Sequence, residues 1–84
     1  MRRQLNVSAV PGQRLVVEDL PEAWPYRVKV GDTILSGCPE RYTDRREGTR
    51  VRVSFAVPPL GAGQHRIEIH HRDGVEPVGT VTVR

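Results

Sequence analysis

The sequence predicts an all-β protein, a single antiparallel β-sandwich of about seven short strands. Three observations predict it. Two stretches, Thr49 to Val57 and Gln64 to His71, alternate strictly. Val51, Val53, Phe55 and Val57 fall on one face with Arg50, Arg52, Ser54 and Ala56 on the other, and Ile67 and Ile69 oppose Arg66, Glu68 and His70. That two-residue period is the mark of a half-buried strand. Turn-forming groups of Gly, Pro and Asp recur at intervals of about 8–12 residues, the spacing of short antiparallel strands. Finally, no long stretch carries a helical apolar spacing, and the chain is rich in valine and poor in aromatics.

Taken in order, Gln4 to Val10 is a first strand with Leu5 and Val7 inward, broken by Pro11 and Gly12. Arg14 to Glu18 is a second, with Leu15 and Val17 toward the core and Val16 able to face either way. Asp19 to Pro25 is a turn-rich connector, because Pro21 and Pro25 force extended backbone before them. Trp24, the largest apolar side chain there, is expected to plug one end of the core. Tyr26 to Val30 is a third strand, with Tyr26, Val28 and Val30 inward and Arg27 and Lys29 outward; Gly31-Asp32 signals a hairpin into a short fourth strand, Thr33 to Ser36. Gly37 to Gly48 is too polar for a core and reads as a long exposed loop with room for one helical turn. The two alternating strands follow, separated by a crossing loop of Pro58, Pro59, Gly61 and Gly63. Arg72-Asp73-Gly74 signals a second hairpin, and Val78 to Arg84 closes the chain with Val81 and Val83 inward. The first and last strands are expected at open sheet edges.

Eighty-four residues make one domain, spanning 1–84. A domain of this size buries roughly 60–65% of its unfolded surface, so its core is thin. Thirteen basic residues, twelve of them Arg, face ten acids, for a net charge of +3. That balance fits a mixed, solvated surface as well as an anion-binding one. Cys38 is the only cysteine and can form no internal disulfide. The N-terminus is basic without an apolar h-region, so it does not read as a signal peptide, and no apolar run approaches membrane-spanning length. A soluble protein of a reducing compartment is expected: cytoplasmic, unless it is phage-encoded and leaves within a virion.

The span Tyr26-Arg27-Val28-Lys29-Val30-Gly31-Asp32, with Val51 to Ile69 and the closing Gly79-Thr80-Val81-Thr82-Val83, resembles the IPT/TIG group of immunoglobulin-like domains. These residues match its Val-x-Val-Gly strand, its Pro-rich loop after a later strand, and its final strand, over the C-terminal two-thirds of the chain. The family's glycine-rich opening is replaced here by Val17-Glu18-Asp19-Leu20-Pro21. The resemblance implies an immunoglobulin-like sandwich and roles in adhesion, scaffolding or, within larger factors, DNA contact. It implies no catalytic residues.

The chemistry-bearing residues form no reactive set. His70 and His71 are neighbours on a strand and point to opposite faces, while His65 and His71 share a face but lie about 20 Å apart, at roughly 3.3 Å per residue. A metal site within the chain is therefore not expected. Cys38 precedes Pro39 with no base placed beside it, and Gly61-Ala62-Gly63 leads into no helix that could complete a phosphate cradle. No cofactor is implied. The outward basic residues are the one constellation: Arg27 and Lys29 on the third strand, with Arg66, Glu68, His70 and Arg72 on the sixth, become neighbours if those strands pair as in an immunoglobulin sheet. Cross-strand pairing that only solubilises the sheet is the competing reading. Arg41, Tyr42, Arg45 and Arg46 form a second candidate surface, because Arg and Tyr are favoured at protein interfaces.

An enzyme is not expected. Two classes remain. The first is a structural module binding other proteins in a larger assembly or a homo-oligomer; small disulfide-free sandwiches of this type are common in tailed-phage capsids, tails and baseplates. The second is a nucleic-acid or anionic-partner module using the arginine face. Salt separates them, since phosphate binding weakens steeply as salt rises.

Overall fold

The computed structural model describes residues 5–84. Gln4, the first residue expected of the opening strand, and the N-terminal residues read against a signal peptide lie outside them. Eight strands form: β1 (Leu5–Ala9), β2 (Arg14–Leu20), β3 (Arg27–Val30), β4 (Thr33–Leu35), β5 (Cys38–Asp44), β6 (Gly48–Ala56), β7 (Gly63–His71) and β8 (Gly74–Val83). They make a five-stranded sheet ordered β1-β8-β7-β3-β4 and a three-stranded sheet ordered β2-β6-β5. In an immunoglobulin sandwich the B, E and D strands lie on one sheet and G, F, C and C′ on the other. Here β2, β6 and β5 take the first set of places and β8, β7, β3 and β4 the second.

The core is what the alternation prescribes. Val28, Val30, Ile67, Ile69, Val81 and Val83 from one sheet meet Val51, Val53 and Phe55 from the other, all buried. Leu15 and Val17 join them and Val16 points out, which resolves its face. Leu20 is also buried, because a bulge lies between Val17 and Leu20 and Asp19 adopts a φ of 64°. The extra residue shifts the alternation and returns Leu20 to the inner face opposite Val51.

Three expectations are corrected. The stretch 37–48 is a strand and a tight turn, since β5 pairs with β6 from Cys38↔Ser54 to Asp44↔Gly48. Its inward positions, Pro39, Arg41 and Thr43, lie at the margin of the sandwich, where no apolar side chain is required; an inward charge and a proline also guard an edge strand. Trp24 does not plug the core. It is 36% exposed, whereas Ala23 and Tyr26 of the same connector are buried. Tyr26 closes that end because its hydroxyl can be satisfied locally: it donates to Pro21 O at 2.5 Å and accepts from Ala23 N at 2.6 Å. Lastly, β8 is not an edge. β1 pairs with it in parallel, Leu5↔Gly79 through Ala9↔Val83, which places β8 inside the five-stranded sheet and leaves only β1 at that margin.

Candidate functional site

The sandwich presents two outward faces of opposite character. On the three-stranded sheet, β2, β6 and β5 turn Arg14, Glu18, Arg50, Arg52, Ser54, Glu40 and Tyr42 to solvent, and these side chains satisfy one another. Arg50 Nε donates to Asp19 Oδ1 at 3.0 Å and its Nη2 to Asp19 O at 2.7 Å. Tyr42 Oη accepts from Asp19 N at 2.9 Å, so the residue with the positive φ is held from two strands. Arg52 lies 3.5 Å from Glu18 and 3.4 Å from Glu40, with its guanidinium over the Tyr42 ring at 4.4 Å. Its Nε is buried without a well-directed hydrogen bond, so the Glu40 contact is electrostatic. Arg14 donates to Ser54 Oγ at 3.1 Å and reaches Cys38 Sγ at 3.6 Å.

A shallow depression of about 360 Å³ lies among Val16, Cys38, Pro39, Glu40, Arg52 and Ser54. The side chain hydrogen-bonded to Cys38 Sγ is the Arg14 guanidinium, a donor that cannot serve as a general base. Among the described residues, no group of three or more His, Cys, Asp or Glu side chains is placed to hold a metal ion.

The outer face of the five-stranded sheet is different. Its ladder aligns Arg27 with His70, Lys29 with Glu68 and with Ile34, and Arg66 with Thr80. Four of the candidate residues, Arg27, Lys29, Arg66 and His70, thus share one surface, as the alternation implies if β3 and β7 pair. Glu68 is the single carboxylate among them and leans toward His70, with Oε1 3.4 Å from Nε2. Arg27, Lys29 and Arg66 make no side-chain hydrogen bond or ion pair among the described residues. Apart from the His70 imidazole no aromatic ring lies on these positions; the exposed Ile34 stands opposite Lys29 on the edge strand β4, and the exposed Val75 opposite His70 at the turn end of β8.

The remaining candidates are dispersed. Arg72 sits in the β7–β8 turn, 3.4 Å from Asp73. Arg41 pairs with Glu22 at 2.5 Å and stands over Trp24 at 5.8 Å. Tyr42 belongs to the three-stranded face, and Arg45 and Arg46 are exposed in the β5–β6 turn. That turn is held by Asp44, whose Oδ1 accepts from Arg46 N at 2.8 Å and Glu47 N at 3.0 Å. These bonds, the one from Glu47 first, hold the Asp44 carboxyl below its ordinary value of 3.8. A depressed acid stabilises the fold fully above its unfolded value and loses that contribution as pH falls through the folded one. Amide exchange at Arg46 and Glu47 should therefore show lost protection on acidification below about pH 4; protection unchanged down to pH 2 would refute the coupling.

Sequence reasoning missed the Asp19–Arg50–Tyr42 clamp. Its partners are far apart in the chain and no local pattern links them. The positive φ at a non-glycine residue becomes visible only in the backbone. No immunoglobulin-type or other family model matches the chain, and no curated protein or solved structure does so.

Proposed function

We propose that this chain is a non-enzymatic binding module, a structural unit that docks on other proteins in a larger assembly through the outer face of its five-stranded sheet. The observation that carries the reading is the asymmetry of the two faces. Arg14, Arg50 and Arg52 are committed to partners on the three-stranded sheet. Arg27, Lys29 and Arg66 on the opposite face have no such partner among the described residues. Cations kept on a flat face without internal partners cost nothing in desolvation until a complementary surface covers them. The assembly we propose is a virion, as a capsid-decoration, tail or baseplate component, on an analogy of fold and size. A small core adds to it, since binding to a partner stabilises the folded state by mass action.

The test is a face-specific charge reversal. Arg27→Glu, Lys29→Glu and Arg66→Glu together should leave the protein folded, with a melting temperature lowered by no more than about 6–12 °C, because each surface substitution typically changes stability by about 0.5 kcal/mol or less and Lys29→Glu sets a second carboxylate opposite Glu68. The same variant should lose capture of the proteins encoded beside this gene and sediment as a free monomer. A wild-type protein that captures none of them, yet binds DNA with a steep salt dependence, would transfer the case to the nucleic-acid reading.

A further inference from the structure

Resting on the docking reading above, we infer that the outer face of the five-stranded sheet takes an acidic polypeptide surface, one presenting carboxylates beside apolar side chains. The charge of the face favours such a partner. Three permanent cations surround one carboxylate on this face, and that carboxylate already leans on His70. An anionic occupant meets complementary potential, which favours both encounter and register.

The spacing of the cations suits an extended acidic chain. Arg27 and Lys29 are alternate residues of one strand, so their α-carbons lie about 6.5–7 Å apart at roughly 3.3 Å per residue. Alternate carboxylates of an extended chain repeat at that same distance. Arg66 lies one strand away on β7 and carries the cationic row across the sheet. Two exposed apolar side chains add to the match. Ile34 on the edge strand β4 and Val75 at the turn end of β8 are exposed beside the cations, where a protein partner would cover them and a phosphate backbone would not.

Nucleic acid is the weaker occupant because base stacking needs open aromatic rings, and among the described residues the one ring on this face, the His70 imidazole, is half-buried and turned toward Glu68. A second copy of the chain is weaker as well. Its like face is cationic, and the acids of its other face, Glu18, Asp19 and Glu40, are already engaged by Arg50 and Arg52.

The probes are a fluorescent peptide of alternating Glu and Val, its Lys-Val counterpart, and a single-stranded thymidine oligonucleotide, each titrated against the full chain. The expected result is saturable binding of the Glu-Val peptide and none of the Lys-Val peptide. Binding should weaken at least about tenfold in the Arg27→Glu, Lys29→Glu, Arg66→Glu variant, the loss of one or more charge-paired contacts. It should persist in Arg45→Glu, Arg46→Glu, which alters only the β5–β6 turn. Loss in the turn variant alone would overturn the assignment to this face. So would oligonucleotide binding tighter than peptide binding; three phosphate contacts would then give a salt slope of about −2, at roughly 0.7 per contact. Failure of the peptide to bind while neighbour capture still depends on the same three cations would sink the acidic-polypeptide inference and leave the docking module standing.

Discussion

Gly79→Ala is expected to detach β1 from the five-stranded sheet and to lower stability by about 3 kcal/mol or more, the range of severe backbone and packing defects. Gly79 has a φ of 144°, a region nearly closed to other residues. A Cβ built there would lie 1.7 Å from Leu5 O and 2.6 Å from Leu5 C. The obstacle is backbone, which cannot rotate away as a side-chain tip can. Gly79 is paired with Leu5 at the start of the parallel ladder, beside the bulge that inserts Val78 into β8. Relief requires β1 to move. That movement would disturb the buried Ala9, the half-buried Leu5 and Val7, and the Thr80–Asn6 side-chain bond at 2.9 Å. It would also bare the edge of β8, so aggregation on heating is expected alongside the lower midpoint. Urea unfolding and amide exchange along β1 read the effect. Gly61→Ala is the control, because a Cβ at Gly61 meets nothing within 4 Å. Equal midpoints for both variants would show that β1 is not held by this close approach.

What the sequence discloses and what it conceals divide along a physical line. Wherever a strand has one face in the core, its apolar residues must recur every second position, and the nine residues from Val28 to Val83 expected in the core are all buried. The same alternation fixes the outward set. Once β3 and β7 pair, Arg27, Lys29, Arg66 and His70 must share a face. β5 escapes this logic because its inward side chains lie at the open margin of the sandwich. Pro39, Arg41 and Thr43 carry no apolar signal, and the segment looks like a loop. Trp24 misleads for a related reason. Size favours burial, but Tyr26 can reach Pro21 and Ala23 with its hydroxyl and so takes the buried place, leaving the indole packed edge-on against it at 5.0 Å. The parallel β1–β8 pairing joins the two ends of the chain, and nothing local encodes it. Gly79 is its only trace in the sequence, a glycine in a run of β-formers.

Phe55→Ala should destabilise the protein by about 3–5 kcal/mol, enough to leave a substantial unfolded fraction near physiological temperature. Phe55 is 1% exposed and heads the fully buried side chains by volume. It sits on β6, the central strand of the three-stranded sheet, opposite Leu15. The core cluster it belongs to is made mainly of valine and isoleucine from both sheets, β-branched side chains with few alternative rotamers with which to fill the hole left by the ring. Domains of this length hold only about 4–13 kcal/mol in total, at roughly 0.05–0.15 kcal/mol per residue. At about 4–8 °C per kcal/mol for a chain of this size, the melting temperature should fall by at least about 12 °C. Phe55→Leu, which restores most of the volume, should recover more than half of the loss. The urea m-value should stay near that of the wild type, since the same surface is exposed on unfolding. A Phe55→Ala protein that melts with the wild type would mean that the ring does not bridge the two sheets, and the packing of β6 against the five-stranded sheet would have to be redrawn.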